Sequence, residues 1–458
     1  MSPARRATKR TSRSGKSTGG DLLIRGGWVV AVDVAGSESR LDVRIADGRI
    51  AAMAPRLSQR GVERVIDARD MIVMPGLVQA HIHVCQTLFR GQADDMDLLT
   101  WLRERIWPLE GALEADDLRA GARLGFAELL LGGTTAILDM GTVRHSDVLF
   151  EEALRMGLRY TGGKTIMDHG QGYPVGLRET TEHALAESAR LCERWHGRAN
   201  GRLRYAFSPR FVLSCTEAAM RGVVAEARRR GTVLHTHAAE SSEEVALVRE
   251  RTGMGNVEYL HSLGFSGRDV VLAHGIWLSS EERRLLRETG THIAHCPSAN
   301  LKLASGIARV AELLGEGIHV ALGADGAACN NLLDGFGEMR LAARLHKVHS
   351  GPEAVAAGTA LRLATRGGAE ALGLNDTGSL AVGQRADLVL LDVHRPHLWP
   401  HLGSLASRVV YAARASDVHT VVVDGRVIVD AGRLTTGKVA TIVRDAQAAA
   451  ERVAARVG

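Results

Sequence analysis

Ile72–Val84 reads IVMPGLVQAHIHV, a run of apolar residues that ends in two histidines, His81 and His83. Its length and composition fit a buried β-strand, and an extended backbone places residues two apart on the same face. Seven similar runs follow, at Thr134–Met140, Leu158–Ile166, Arg204–Phe211, Val233–Ala239, Val270–Ile276, His292–Cys296 and His319–Asp325. Amphipathic helical patterns separate them, among them Asp116–Leu131, Arg178–Trp195, Glu217–Arg230 and Ser280–Thr289. Eight strand–helix units over about 300 residues predict an α/β fold, a (β/α)8 TIM barrel. The competing open, doubly wound sheet lacks support, because no GxGxxG follows the first strand.

Outside this stretch the periodicity changes. Leu22–Asp33 and Leu41–Ala54 alternate apolar and polar residues around the turn Ala46-Asp47-Gly48. Near the other end, Ala386–Asp392 and Thr420–Asp430 read as strands, the latter folded on Asp424-Gly425, a strong two-residue hairpin signal. β-rich ends around a β/α middle predict a composite β-sandwich built from residues 21–74 and 375–440. The barrel then spans residues 75–374, and residues 441–458 form a C-terminal helix.

The 458-residue chain carries a net charge of +5, which at first suggests an anionic partner. Residues 1–20 hold six Lys or Arg and no acid, so the rest of the chain carries about −1. The basic character belongs to a tail rich in Ser, Thr, Gly and Arg, which reads as disordered. Neither nucleic acid nor a membrane surface is therefore expected as a partner. The tail lacks the apolar core of a secretory signal, and no apolar run is long enough to span a bilayer. Five scattered cysteines without a CxxC pair fit a reducing cytoplasm.

Chemistry-bearing residues gather at the C-terminal ends of the strands, where a TIM barrel builds its site. About one HxH is expected by chance among 19 His in 458 residues, so His81-x-His83 alone carries little. The fifth strand, however, ends in His237, with Glu240 three residues on, the sixth in His274 and the eighth in Asp325. Three imidazoles and a carboxylate suit one divalent metal, Zn²⁺ or Fe²⁺, with a position left for water.

This constellation resembles the amidohydrolase superfamily, as do Met74-Pro75-Gly76 and Gly132-Gly133-Thr134-Thr135. The likeness runs over about residues 22–435 and is nearest the cytosine-deaminase-like branch. That branch includes triazine chlorohydrolases, S-adenosylhomocysteine and 5′-deoxyadenosine deaminases, and guanine deaminases. The resemblance implies a hydrolase of carbon–nitrogen bonds in cyclic amidines, with His81, His83, His237 and Asp325 as metal ligands. Glu240, His274 and Asp325 would handle protons while ammonia leaves a purine base or an adenine nucleoside. The binuclear relatives carry a bridging Lys at the end of strand four. Ser208-Pro209-Arg210-Phe211 has none, which implies one metal.

Two substrate signals compete. Gln86 and Pro209-Arg210-Phe211 resemble guanine deaminases, whose Gln and Arg hydrogen-bond the purine edge and its carbonyl. Glu110, in Trp107-Pro108-Leu109-Glu110, together with Leu301–Gly306 and Asp325–Asn331, resembles adenosine-type deaminases, in which such a Glu holds ribose hydroxyls. The His that those enzymes carry before the Ser-Pro of strand four is Phe207 here, which puts adenine-nucleoside recognition in doubt. Trp101 and Trp107 are candidates for ring stacking or for core packing.

His235 shares the face of His237 without a Glu at plus three. His145, His169, His295 and Lys164 read as structural or pocket-lining, and Cys85 and Cys296 as small apolar side chains. A chlorohydrolase of the same fold is the alternative enzyme. A non-catalytic scaffold would have eroded its ligands, and all four are present. A small heterocyclic substrate is the expected partner, in a barrel that often forms homo-oligomers.

Overall fold

The computed structural model describes residues 21–170 and 172–458. The tail read as disordered, residues 1–20, lies outside them. The barrel wall is built from Leu77–His83, Thr134–Thr142, Arg159–Ile166, Leu203–Pro209, Val233–Ala238, Val270–His274, His292–His295 and His319–Leu322. Neighbours pair in parallel, as βαβ connections require. The ring closes through Asp325–Gly326, a short continuation of the eighth strand, whose Asp325 pairs with Ile82 and Gly326 with His83. Closure therefore sets a carboxylate beside the two histidines of the first strand. Gln79 ties the seam from inside: Nε2 donates to Thr134 Oγ1 at 3.0 Å and Oε1 accepts from Ala324 N at 3.0 Å.

The stretch Ile72–Val84, expected as one barrel strand, divides at Gly76. Met71–Pro75 pairs antiparallel with Leu388–Asp392 in the β-domain, and Leu77–His83 opens the barrel. Pro75 has no N–H with which to continue a ladder, and Gly76 N donates sideways to Asp387 O at 3.1 Å. Thr135 stands hard against the break, so a Cβ on Gly76 would lie 2.0 Å from its Oγ1. Gly76→Ala is expected to cost about 1–3 kcal/mol through overpacking at this crossing, read as a lowered unfolding midpoint in denaturant. Unchanged stability would mean that Thr135 yields freely.

The β-domain is assembled from both ends of the chain, as its two patterned stretches imply. Nine strands form one mixed sheet, in which Met71–Pro75 and Leu388–Asp392 join the N-terminal and C-terminal groups. Ile24, Val43, Val73, Leu388 and Val422 belong to one buried cluster, so side chains from both groups share a core. The hairpins turn on Asp47-Gly48 and Asp424-Gly425, with φ of 50°, 76°, 52° and 77°, the left-handed pairs that a two-residue turn requires. Arg159, at the start of the third barrel strand, locks sheet to barrel through a two-pronged pair with Asp387 at 2.6 and 3.0 Å.

The barrel helices start and stop where local chemistry dictates. Ser279 accepts from Glu282 N at 3.1 Å and Glu282 returns to Ser279 N at 2.8 Å, opening Ser280–Thr289. Gly290, at φ 71°, ends it. The last helix, Val439–Val457, buries Ile442, Ala446, Ala449 and Val453 at helical spacing. Its Arg452 and Arg456 pair with Asp117 of Ala115–Leu131 at 2.8 and 2.6 Å. Among the described residues no helix is long and apolar enough to cross a membrane.

Candidate active site

Strand ends converge on one point at the barrel mouth. Asp325 Oδ1 lies 3.3 Å from His81 Nε2 and 3.5 Å from His83 Nε2. His83 Nε2 is 3.0 Å from His237 Nε2. Three residues here have positive φ: Ala239 at 53°, His274 at 74° and Asp325 at 62°. Such backbone is strained for side chains other than Gly and Asn, and it is held only where surrounding packing over-determines it. It turns the chain sharply at the ends of strands five, six and eight, where the site is made.

The donor set fits a divalent metal. His237 Nδ1 donates to Arg210 O at 2.6 Å, leaving Nε2 as the free lone pair. His81 Nδ1 meets His235 Nε2 at 2.9 Å, which gives His235 the part of orienting a ligand ring. His81 Nε2 is buried with no hydrogen-bond partner, an orphan that a metal would satisfy. Burial holds the His83 and His237 imidazoles well below their usual range and therefore neutral, the form that ligates. Burial alone would raise Asp325, but the facing His81, His83 and His274 rings hold its carboxyl well below the ordinary value. Three imidazoles and a carboxylate are a tetrahedral-type donor set.

Glu240 sits just beyond these ligands in the opposite protonation state. Burial, followed by the negative charges of Asp325 and Glu244, pushes its carboxyl well above the usual range. Its Oε2 is 3.3 Å from His274 Nε2, and its Oε1 is 3.4 Å from Ser305 Oγ. Glu244 Oε2 accepts from Glu240 N at 2.8 Å and fixes the backbone there. His274 Nδ1 donates to Asn300 Oδ1 at 2.8 Å, so its buried Nε2 is the free acceptor. One carboxyl kept ionised and another kept protonated side by side is the arrangement needed for paired proton transfers.

A cavity opens over this point at the barrel mouth. Leu98, Trp101, Leu102, Phe211 and Leu303 supply an apolar wall, and His83, Arg210, His237, Glu240, His274 and Asp325 the polar face.

Residues 72–428 match the family described as the amidohydrolase family. The chain belongs to the amidohydrolase family. It is 38% identical to a 5′-deoxyadenosine deaminase of Methanosarcina acetivorans over 95% of this chain and 99% of that protein. It is 38% identical to a 5-methylthioadenosine/S-adenosylhomocysteine deaminase of Desulforudis audaxviator over 94% and 99% of the two chains. An adenosine deaminase from Xanthomonas campestris, solved with bound zinc, superposes with a TM-score of 0.89 at 32% identity, covering 95% of this chain and 99% of that one. This amidohydrolase is a hydrolase of carbon–nitrogen bonds in cyclic amidines, and it carries a His-rich group of side chains of the kind that can hold a metal ion.

The amidohydrolase site departs from the sequence reading at its edges. Arg210 and Phe211 line the cavity, whereas Gln86, Glu110 and Trp107 stand off its wall. Trp107 instead packs edge-on against Tyr173 at 4.5 Å, and Trp101, six residues earlier, lines the pocket. Phe207 is fully buried against Tyr205. Lys164 is paired with Glu179 at 2.6 Å, and His295 meets His346 at 3.3 Å; neither lines the cavity. Asn300, Glu244 and Ser305 were not singled out as site residues from the sequence. Only the Leu301–Gly306 run, noted for its resemblance, carried a signal for one of them, Ser305.

Proposed function

We propose that the protein is a metal-dependent aminohydrolase that removes the exocyclic amino group of a purine-type N-heterocycle and releases ammonia. The observation that carries this reading is geometric: Glu240 Oε2 lies 3.3 Å from His274 Nε2 beside the cluster of His81, His83 and Asp325, in a buried setting that raises the Glu240 carboxyl and lowers that of Asp325. Deamination needs a proton at a ring nitrogen and another at the leaving amine, whereas chloride leaves without one; the pairing favours loss of ammonia. The three relatives named above are, by their names, deaminases of adenine nucleosides, which supports a purine in the cavity.

His81, His83, His237 and Asp325 would hold the metal, with zinc favoured by the neighbour solved with it. When bound, such an ion acts as a Lewis acid and lowers the pKa of water to about 7. Asp325 would take a proton from the attacking water and pass it to the departing amino group, which leaves as ammonia. Glu240 gives its proton to the ring nitrogen beside the amino-bearing carbon. His274 Nε2, its tautomer set by Asn300, orients the nucleophile from the far side of Glu240. Leu98, Trp101, Leu102, Phe211 and Leu303 exclude bulk water from the ring. The five cysteines are all buried and free, which supports a cytoplasmic enzyme.

The test is ammonia release by zinc-loaded protein offered guanine, adenosine, 5′-deoxyadenosine, S-adenosylhomocysteine and cytosine, with chloride release from a chlorotriazine in parallel. Ammonia from a purine is expected. Chloride release without ammonia from any purine would replace this reading with the chlorohydrolase one.

A further inference from the structure

Two stretches that follow the last barrel strands meet through one buried carboxyl that the proposed chemistry leaves unused. The helix Pro297–Lys302, after strand seven, carries Asn300, whose Oδ1 holds His274 Nδ1. The stretch 325–331, after strand eight, begins with Asp325. Glu338, on the helix Gly335–Leu345, is 3% exposed and reaches both. Its Oε2 accepts from Ser298 N at 3.1 Å, two residues before Asn300, and its Oε1 accepts from Asn330 Nδ2 at 2.9 Å.

Asn330 carries the second bond on to Asp325. Its Nδ2 also donates to Ala324 O at 2.7 Å and its N to Gly326 O at 2.9 Å, so it grips the carbonyls on either side of that residue. Asp325 needs the grip, because it is held at φ 62°, a conformation kept only by its surroundings. Lys302 adds a tie between the same stretches, Nζ donating to Ala328 O at 3.2 Å and to Asn331 Oδ1. The two oxygens of a carboxyl are rigidly joined, so donors bound one to each cannot drift apart without leaving a buried group unpaired.

Resting on the aminohydrolase reading, we infer that Glu338 is a positioning residue, which sets the Asn300–His274 pair and the Asp325 turn at a fixed separation across the point where water attacks. The sheet does not do this by itself. His274 ends strand six and Asp325 follows strand eight, and strand seven lies between them, so no ladder bond joins the two directly. Glu338 is not among the residues that line the cavity, and it acts on the reaction through Asn300 and Asn330.

The experiment takes zinc-loaded, full-length protein and measures kcat, KM and bound zinc with guanine, adenosine, 5′-deoxyadenosine and S-adenosylhomocysteine. The variants are Glu338→Gln, Asn330→Ala, Asn300→Ala and the Glu338→Gln/Asn300→Ala double. Glu338→Gln keeps the shape but must turn an NH2 on one of two N–H donors. It is expected to lower kcat by about 10- to 100-fold, the effect of a misplacement of about 1 Å, with KM within about threefold of wild type. Bound zinc stays at the wild-type level. Asn330→Ala leaves the bond to Ser298 and lowers kcat in the same way by less; it carries the test if Glu338→Gln does not fold. In the Asn300→Ala background, where the His274 arm is already lost, Glu338→Gln costs no more than about threefold further. A purely structural carboxyl would cost the same in both backgrounds to within about twofold. That result, a wild-type kcat in Glu338→Gln, or a loss confined to zinc content or KM overturns the inference and leaves the aminohydrolase reading intact. Silence of the wild type toward all four purines overturns both.

Discussion

Glu240→Gln lowers kcat by about 10²- to 10⁴-fold, the usual worth of a positioned general acid, while bound metal stays at the wild-type level. Gln matches Glu in shape and keeps an oxygen for Ser305, so the cavity is preserved; what it lacks is an acidic proton. The argument for that proton is environmental. Burial comes first, then the charges of Asp325 and Glu244, and together they hold the carboxyl protonated well above the ordinary carboxylate range. The sign of the pH dependence follows. The active form is the protonated one, so kcat falls as pH rises through the raised value, and the residual activity of Glu240→Gln lacks that limb. Stability moves the other way from activity, because the amide removes a carboxyl that resists ionising beside two others. A Glu240→Gln enzyme with wild-type kcat would falsify the assignment and return the acid role to an unassigned group.

The parts of this site that could be read in the sequence are those in which local pattern and chemistry coincide. His81 and His83 are two apart on a strand, so their shared face follows from the pleat alone. His237, His274 and Asp325 follow because each ends an apolar run, and strand ends on one rim of a barrel meet whatever the helices between them do. Pairings across the barrel were not legible. Arg210 and Glu110 are a hundred residues apart, and nothing in either neighbourhood says that one will occupy both oxygens of the other. Glu110 therefore read as a ligand-binding acid, and its pairing with Arg210 lay outside that reading. Trp101 and Trp107 could not be told apart, since which of two aromatic residues faces the cavity depends on where the short helices Leu98–Trp101 and Trp107–Gly111 settle against Tyr173. The break at Gly76 was hidden for a related reason. Two strands of different sheets abut with one residue between them, and an apolar run shows no period change when both are fully buried.

Asp325→Asn is expected to abolish turnover and to weaken metal binding by more than the 10- to 100-fold typical of residues that only support a ligand. The substitution is chosen for the backbone. Asp325 sits at φ 62°, a conformation that Asn tolerates and most residues do not, so the loop keeps its shape and only the charge is lost. That charge has two tasks at one point: it balances a divalent cation, and it lies 3.3 Å and 3.5 Å from two ligand nitrogens as the nearest acceptor for a proton. Chelation tests the same centre without mutation. Three imidazoles crowd together, with His83 Nε2 and His237 Nε2 3.0 Å apart and His81 Nε2 without a hydrogen-bond partner. Lone pairs that face one another in a dry site repel, and the metal both removes that repulsion and binds only the folded form. At a free concentration of 100 times its Kd it adds about 2.7 kcal/mol to the stability of the fold. Chelated protein should therefore melt lower than loaded protein, regain both Tm and turnover on addition of Zn²⁺, and show a Tm that climbs with metal concentration. In Asp325→Asn the metal-dependent rise in Tm should be largely gone. Full metal occupancy in Asp325→Asn, with the wild-type rise in Tm, would move the fourth ligand elsewhere in the site and leave Asp325 with proton transfer alone.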